Sequence, residues 1–167
     1  MAVITNNAAS AAQLAVRIDV LDRVKGTGLV SHGAVKVEAE HGVVRSNVSF
    51  WVGDREIFRS EVFLHQQTVS EWMENIQALV DGDFGPRQEI NFGFESPELI
   101  LVARRSQPVL EGGLPFYELT VVLDAGSFDA GGGIIGEGPA MFFTPKAEVL
   151  LQFSSDLLAE VNQALAA

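Results

Sequence analysis

Apolar and polar residues alternate over much of the first half of the chain, a pattern typical of half-buried strands. From Leu14 to Val20, every second residue is large and apolar. Three later segments alternate in the same way, with apolar residues Val35, Val37 and Ala39, then Val44, Val48, Phe50 and Val52, then Phe58, Val62 and Leu64. A two-residue turn at 41–42 would join the first two segments and place Val35 opposite Val48. The three segments predict an antiparallel meander.

The register of the second hairpin follows from the need to keep all apolar residues on one face. A two-residue turn would place Phe50 opposite Ile57 and divide the apolar residues between core and solvent. A three-residue loop at 53–55 places Phe50 opposite Phe58 and keeps these residues together. Because a slip of one residue reverses the direction of every side chain, we expect the three-residue loop.

The spacing of apolar residues changes to that of an amphipathic helix after residue 67. These residues now recur three and four positions apart, as Trp72, Met73, Ile76, Leu79 and Val80. Thr68 and Glu71 have the pattern of a capping box, which predicts where the helix begins. Gly82 predicts a left-handed residue at its end.

Strands and a second helix complete the predicted fold. The segments Ile90–Phe94, Leu99–Arg104, Phe116–Asp124 and 141–143 read as strands. Thr144 and Pro145 predict the start of a helix, whose apolar stripe consists of Leu150, Phe153, Leu157, Val161 and Leu165. We predict a single α+β domain over 13–167, a mainly antiparallel sheet with two helices packed on its apolar face. A disordered tail at 1–12 is expected to precede it.

The charge balance restricts the classes of partner. Twenty-two acidic residues and eleven basic ones give a net charge of −11. Nucleic-acid binding is disfavoured because it requires basic residues that displace counterions, whereas an acidic surface can attract a basic protein. No apolar run is long enough to span a membrane. Cys is absent and the N-terminal residues lack a signal-peptide pattern, so we expect a cytoplasmic protein.

Two motifs resemble chemical sites but are better explained by local structure. Glu95 and Glu98 flank Pro97, which lacks an N–H and favours a kink between strands. An acid–base pair would instead need a pocket and shifted pKa values. The stretch GGGIIG at 131–136 matches a dinucleotide-binding spacing, but a strand is predicted where that motif requires a helix. We therefore expect a loop at 125–138 and no bound cofactor.

No other arrangement favours catalysis or metal binding. The three histidines stand singly, without the spacing of metal ligands; they are His32, His41 and His65. The absence of Cys excludes disulfides, thiolate metal sites and Cys nucleophiles. We predict no catalytic residue and no metal site.

The order of several segments resembles a known family. These segments are TVSEWMENIQALV, INFGFESPELILVARR, YELTVVLD and MFFTPKAEVLLQFSSDLLAEV, which together fall between Val35 and Leu165. The order resembles that of small bacterial immunity proteins for wall-associated contact-dependent toxins. The chain differs from that pattern by Ser96, inserted before Pro97, and by a longer Gly-rich loop.

The resemblance implies a protein that neutralises a basic toxin by direct binding in the cytoplasm of the producing cell. It implies no catalytic residues. The acidic residues after the first helix and around the Gly-rich loop are the predicted docking site, namely Asp81, Asp83, Asp124, Asp129 and Glu137. Two alternatives stay open. One is a small-molecule-binding or enzymatic domain with a pocket under that loop, and the other is self-association through a face that includes Trp51, Ile57 and Phe63.

Overall fold

The computed structural model describes most of the chain as strands and helices. The described residues are 1–5, 13–24, 29–32, 35–38, 42–83, 89–93, 99–106, 115–123 and 139–167, with side chains described outside 29–32, 35–38 and 91–93. Their elements are β1 (Ala2–Thr5), β2 (Leu14–Arg23), β3 (Leu29–His32), β4 (Val35–Glu38), β5 (Val43–Val52), β6 (Arg55–His65), α1 (Gln66–Asp81), β7 (Glu89–Gly93), β8 (Leu99–Ser106), β9 (Phe116–Leu123), β10 (Ala140–Phe143) and α2 (Ala147–Ala166).

The strands form two four-stranded antiparallel sheets and one separate hairpin. Sheet 1 has the order β1-β2-β5-β6, sheet 2 has the order β10-β9-β8-β7, and β3 pairs with β4. In each four-stranded sheet, strands adjacent in space follow each other along the chain, apart from the β3–β4 hairpin. A helix follows the last strand of each sheet. The predicted α+β class with antiparallel sheet is therefore confirmed.

The two helices pack against each other and connect the two sheets. They run antiparallel, because Gln66 Nε2 donates to Asn162 Oδ1 at 2.7 Å while Trp72 Nε1 donates to Ser154 Oγ at 3.1 Å. α2 packs mainly on β1, β2 and β5 of sheet 1, whereas α1 packs on β7 and β8 of sheet 2 and on β6. Each helix therefore contacts the sheet that it does not directly follow.

One hydrophobic core joins both sheets and both helices. Alternate residues of the strands point into it, and the largest fully buried side chains are Trp72, Phe50, Phe143 and Phe153. The predicted stripe of α2 lies in this core, with Leu165 half-buried at its end. Each side chain of this size contributes about 1.5–3 kcal/mol when it leaves water.

The second predicted hairpin is confirmed, including its register. Phe50 lies opposite Phe58, and the ring centroids are 6.3 Å apart. The predicted three-residue loop is wrong, however, because the extra residue of β6 lies in the strand and not in the loop. Val52 pairs with Arg55 across a two-residue turn, and a bulge at Ile57 restores the register, because Trp51 lies opposite Glu56.

The first predicted hairpin is wrong in its partner. β5 pairs with β2, so that Val48 lies opposite Ile18, while β4 pairs with β3. Parity could not distinguish these arrangements, because β2 and β4 both alternate and either would present apolar residues to the core side of β5. The longer β2 pairs with β5 along nearly its whole length, which gives more ladder hydrogen bonds and more buried area than the four residues of β4.

The predicted disordered tail at 1–12 is wrong for its first residues. Residues 2–5 form β1 and pair with β2, from Ala2 opposite Ile18 to Thr5 opposite Ala15. Ala2 and Ile4 are fully buried beneath α2, which accounts for the ordering of so short a strand. Residues 6–12 lie outside the described residues.

The helix starts differ from the predicted ones, whereas the predicted end of α1 is confirmed. α1 begins at Gln66, directly after β6, without a side-chain cap, and Gln66 N–H donates to the Gly42 carbonyl at 2.9 Å. The end of the sheet thus fixes the start, and the capping box at Thr68 is wrong. Gly82 closes the helix with φ of 88°. α2 likewise begins at Ala147 instead of next to Thr144.

Candidate interaction surface

The structure describes two of the five predicted docking residues. Asp81 is the last residue of α1 and Asp83 follows the Gly82 turn, and both are exposed. The Arg105 guanidinium lies against Gly82, where an added β-carbon would collide with it. A positive charge therefore lies beside the helix C-terminus, where the helix dipole favours it. The acidic character of this corner is partly balanced.

The other three predicted residues, Asp124, Asp129 and Glu137, lie outside the described residues. The two ends of β9 lie at different distances from the end of α1, where Asp81 and Asp83 are found. The Tyr117 hydroxyl donates to the Val80 carbonyl at 3.4 Å, which places the start of β9 beside the end of α1. Leu123, the last described residue before Asp124, lies six residues further along the strand, a distance of about 20 Å at the usual rise. The grouping of the five residues stays a prediction.

A different acidic surface lies along the two helices. Neither α1 nor α2 contains a Lys or Arg. Five of their carboxylates have no cationic partner among the described residues, and we call them the acidic helix surface: Glu71, Glu74 and Asp81 on α1, with Glu148 and Asp156 on α2. The remaining helix carboxylate, Glu160, pairs with the Met1 amine. All three carboxylates of α1 are exposed on the side opposite its buried stripe.

Glutamine side chains hold three of these carboxylates in place. Each Gln precedes its partner by four residues, so the two lie on the same side of the helix. The donor Nε2 atoms of Gln67, Gln77 and Gln152 lie 2.9, 2.9 and 2.6 Å from the oxygens of Glu71, Asp81 and Asp156. An amide orders a carboxylate without neutralising it, whereas Lys at the same position would cancel its charge. The Gln donors therefore leave the negative charge of these three carboxylates in place.

On the strands, by contrast, three arginines form ion pairs with carboxylates, namely Arg45, Arg59 and Arg104. Arg45 donates to both oxygens of Asp22, at 3.0 and 2.9 Å, and the hydrogen bonds and charge of Asp22 raise the pKa of Arg45. Arg104 pairs with Glu89, whose hydrogen bonds raise the pKa of Arg104. In the described part of the molecule, ion pairs thus balance these strand charges, whereas the five carboxylates of the acidic helix surface form no ion pair.

The predicted self-association face is not one contiguous patch. Trp51 lies near the β5–β6 turn, and Ile57 is an exposed bulge residue beside it. Phe63 lies near the other end of β6, where it is buried with Val43 and contacts Val24. The register of β5 with β6 keeps Trp51 and Phe63 on the same face of sheet 1, near opposite ends of the strands, whereas the bulge leaves Ile57 outside the ladder. Self-association stays a prediction.

The described residues hold no group of three or more His, Cys, Asp or Glu side chains that could bind a metal ion. Of the three histidines, His65 is described with its side chain, and it is buried where β6 passes into α1. Within the same residues, neither helix has the length and apolar character that crossing a membrane requires.

Comparison with known proteins adds no identity. No protein-family model matches the chain, and no curated protein matches it. The acidic helix surface must therefore be interpreted from its own chemistry. Its signal was present in the sequence, as two amphipathic helices without Lys or Arg, but the prediction looked for charge at loops instead.

Proposed function

We propose that this chain is a non-catalytic binding protein whose acidic helix surface docks onto a basic protein. The observation that supports this is the complete absence of Lys and Arg from two exposed helices, with carboxylates ordered by neutral Gln donors. Exposed helices are usually stabilised by Glu–Lys pairs four residues apart, and replacing Lys with Gln forgoes that stabilisation. Binding to a cationic partner would explain why these helices carry carboxylates without Lys or Arg partners.

The arrangement suits rapid association with a cationic protein. Carboxylates of one sign create a potential that steers a partner of opposite charge and raises the association rate. Carboxylates already ordered by Gln lose less conformational entropy when a partner's arginine or lysine binds them. The antiparallel packing of α1 on α2 holds the two helices that carry these carboxylates side by side.

A nuclease toxin is a partner of this chemistry. Such a toxin presents cationic residues that bind nucleic-acid phosphates, and an acidic inhibitor can occupy the same surface. The proposed role is that of an immunity protein, which neutralises its cognate toxin in the cytoplasm of the producing cell. The order of sequence segments described above supports the same role.

The proposal requires that a basic toxin domain is encoded beside the gene of this chain, and the test measures association of the chain with that domain. The variant Glu74→Lys/Glu148→Lys reverses two exposed helix charges that make no hydrogen bond among the described residues. The control, Asp22→Lys/Asp54→Lys, makes the same change in net charge at exposed residues of sheet 1 and its turn. Because Asp22→Lys also removes the ion pair with Arg45, thermal unfolding first establishes that the control is folded. Stopped-flow mixing at low and high ionic strength gives the association rate of each variant.

We expect the helix variant to associate at least about tenfold more slowly at low ionic strength, and to lose most of its salt dependence. The control should slow association much less. An equal effect of both variants would show that only net charge matters, and an unchanged rate in the helix variant would exclude this surface.

A further inference from the structure

Two adjacent rows of side chains with opposite charge cross the outer face of sheet 1. This face is the one turned away from α2. The first row contains Arg17, Ser49 and Arg59, which lie opposite one another on β2, β5 and β6. The second row, one pleat further along the same face, contains Asp19, Asn47 and Glu61. One row therefore carries two guanidinium groups and the next carries two carboxylates.

The charged residues of β2 in these rows form no ion pair with any described residue. Arg17 has no carboxylate within ion-pair distance; its guanidinium instead stacks on the Trp51 ring, 4.0 Å from the centroid. The Nε atom of Arg17 is buried and has no acceptor. Trp51 is fixed by its indole N–H, which donates to Ser49 Oγ at 2.8 Å. Asp19 has no cationic partner among the described residues, although Arg17 is two residues away on the same face.

The two rows are complementary to a second copy of themselves. A two-fold axis parallel to the sheet and perpendicular to its strands would place one sheet over another with the strand direction reversed. Each strand would then lie over its own equivalent, and the first row of one copy would lie over the second row of the other. Arg17 would face the Asp19 of its partner, and Asp19 would face the partner's Arg17, which is the reciprocal pairing of a two-fold interface.

We propose that the outer face of sheet 1 is an interface between two copies of this chain, with the Arg17 row of each copy over the Asp19 row of the other. The same operation places Arg59 over Glu61, whereas Ser49, between the two arginines, is buried within its own chain. In the single chain Arg59 pairs with Glu56 at 2.6 Å and Glu61 lies 3.5 Å from Arg45. These exposed pairs form the polar rim around the Arg17–Asp19 centre.

The size of the face is close to what a dimer requires. β2, β5 and β6 have 10, 10 and 11 residues and β1 has 4. At the usual strand spacing and rise, they cover a plane of roughly 550 Å² per copy. A corrugated surface of side chains has a larger accessible area than its plane, and a standard interface buries about 800 Å² per partner. Trp and Arg, the residue types at the centre, are those that contribute most to protein interfaces.

The test exchanges the two charges and follows the oligomeric state by sedimentation equilibrium of the full chain. The wild type should be a dimer. Arg17→Asp places acidic groups over acidic groups in a homodimer, and Asp19→Arg places cations over cations. Each single variant should therefore raise the dimer dissociation constant by a factor of roughly ten or more. Arg55→Asp, at the exposed first residue of β6 opposite Val52, is the control and should stay dimeric.

Mixing the two single variants provides the decisive measurement. Arg17→Asp and Asp19→Arg are complementary to each other, so a heterodimer should form on mixing, and the double variant Arg17→Asp/Asp19→Arg should form a homodimer again. A monomeric wild type would overturn the proposal, as would single variants that dimerise like the wild type. If a single variant does not fold, the double variant decides alone: a folded double variant that is monomeric refutes the pairing.

Discussion

Trp72 is the largest side chain wholly removed from solvent, and its hydrogen bond connects the two helices. Its indole N–H donates to Ser154 Oγ at 3.1 Å, and the Ser154 hydroxyl donates to the Leu150 carbonyl at 2.9 Å. The sequence predicted Trp72 as a core residue from its position on the apolar stripe of α1. It could not predict Ser154 as a partner, because a single Ser inside a helix carries no signal of the element packed against it.

The contribution of this hydrogen bond can be measured by a double-mutant cycle with Trp72→Phe and Ser154→Ala. We expect a coupling energy of about 1 kcal/mol, the net value of a buried hydrogen bond between neutral groups. Urea unfolding of the wild type, the single variants and the double variant gives the four free energies. Ser155→Ala, on the exposed side of the same turn, should change stability by less than about 0.5 kcal/mol. Additive effects of the two changes would show that the hydrogen bond adds no net stability.

At the scale of elements, the bulge in β6 allows the hairpin to have both a two-residue turn and a register that keeps its apolar residues on one face. Two-residue turns match the twist of paired strands, but here such a turn alone would place Phe50 opposite Ile57. The extra residue, Ile57, lies outside the ladder with 53% of its surface exposed, and the pairs on both sides stay aligned. The register was therefore predictable from parity, whereas the position of the odd residue was not.

Deletion of Ile57 should convert this bulge into a regular ladder. Glu56 and Phe58 would then be consecutive residues that point to opposite faces of the sheet. Every described pair of β5 with β6 would keep its partner. We expect the variant to fold, with a loss of stability below about 1 kcal/mol, since the deleted side chain is mostly exposed. Thermal unfolding checks this. Deletion of Ser60 is the control, because it shifts one part of β6 by a residue and turns its apolar groups to water, so it should unfold the protein. Loss of folding on deletion of Ile57 would show that the bulge is required.

Pairing between elements distant in sequence was harder to predict than their existence. The strands from β5 to β10 and both helices were recognisable from periodicity, since each is long or strongly amphipathic. The choice of β2 over β4 as the neighbour of β5 was not, because alternation shows which face a strand buries and not which strand lies beside it. The start of α1 was missed for a related reason: the end of the β6 ladder, and not a local capping residue, determines it.

For the whole molecule, the five carboxylates of the acidic helix surface contrast with the ion-paired arginines of the sheets, Arg45, Arg59 and Arg104. The net charge of −11 appeared in the sequence as a bulk property. The predicted site at Asp81 and Asp83 included one residue of the acidic helix surface, but the other members were assigned to loops. Finding the surface required knowing that α1 and α2 are neighbours, and no periodicity reveals which helices pack together.

Uncompensated charge should make the stability of the protein depend on salt. Mutual repulsion among the helix carboxylates opposes folding, and added salt screens it. We expect the melting temperature, at fixed protein concentration, to rise by about 2–4 °C between low and moderate ionic strength, which corresponds to roughly 1 kcal/mol in a protein of this size. The variant Glu74→Gln/Glu148→Gln should melt higher at low salt and respond less. A melting temperature that falls with salt would mean that attractive ion pairs on the sheets outweigh this repulsion.

The packing of α2 on sheet 1 also sets an order of events during synthesis. β1 ends at Thr5 and α2 begins at Ala147, so a ribosome that adds roughly 5–20 residues per second needs about 7–28 s to proceed from one to the other. Throughout that interval the apolar sides of Ala2, Ile4, Val16 and Ile18 lack the helix that finally covers them. The nascent chain is therefore a natural client for a chaperone until its last helix has emerged.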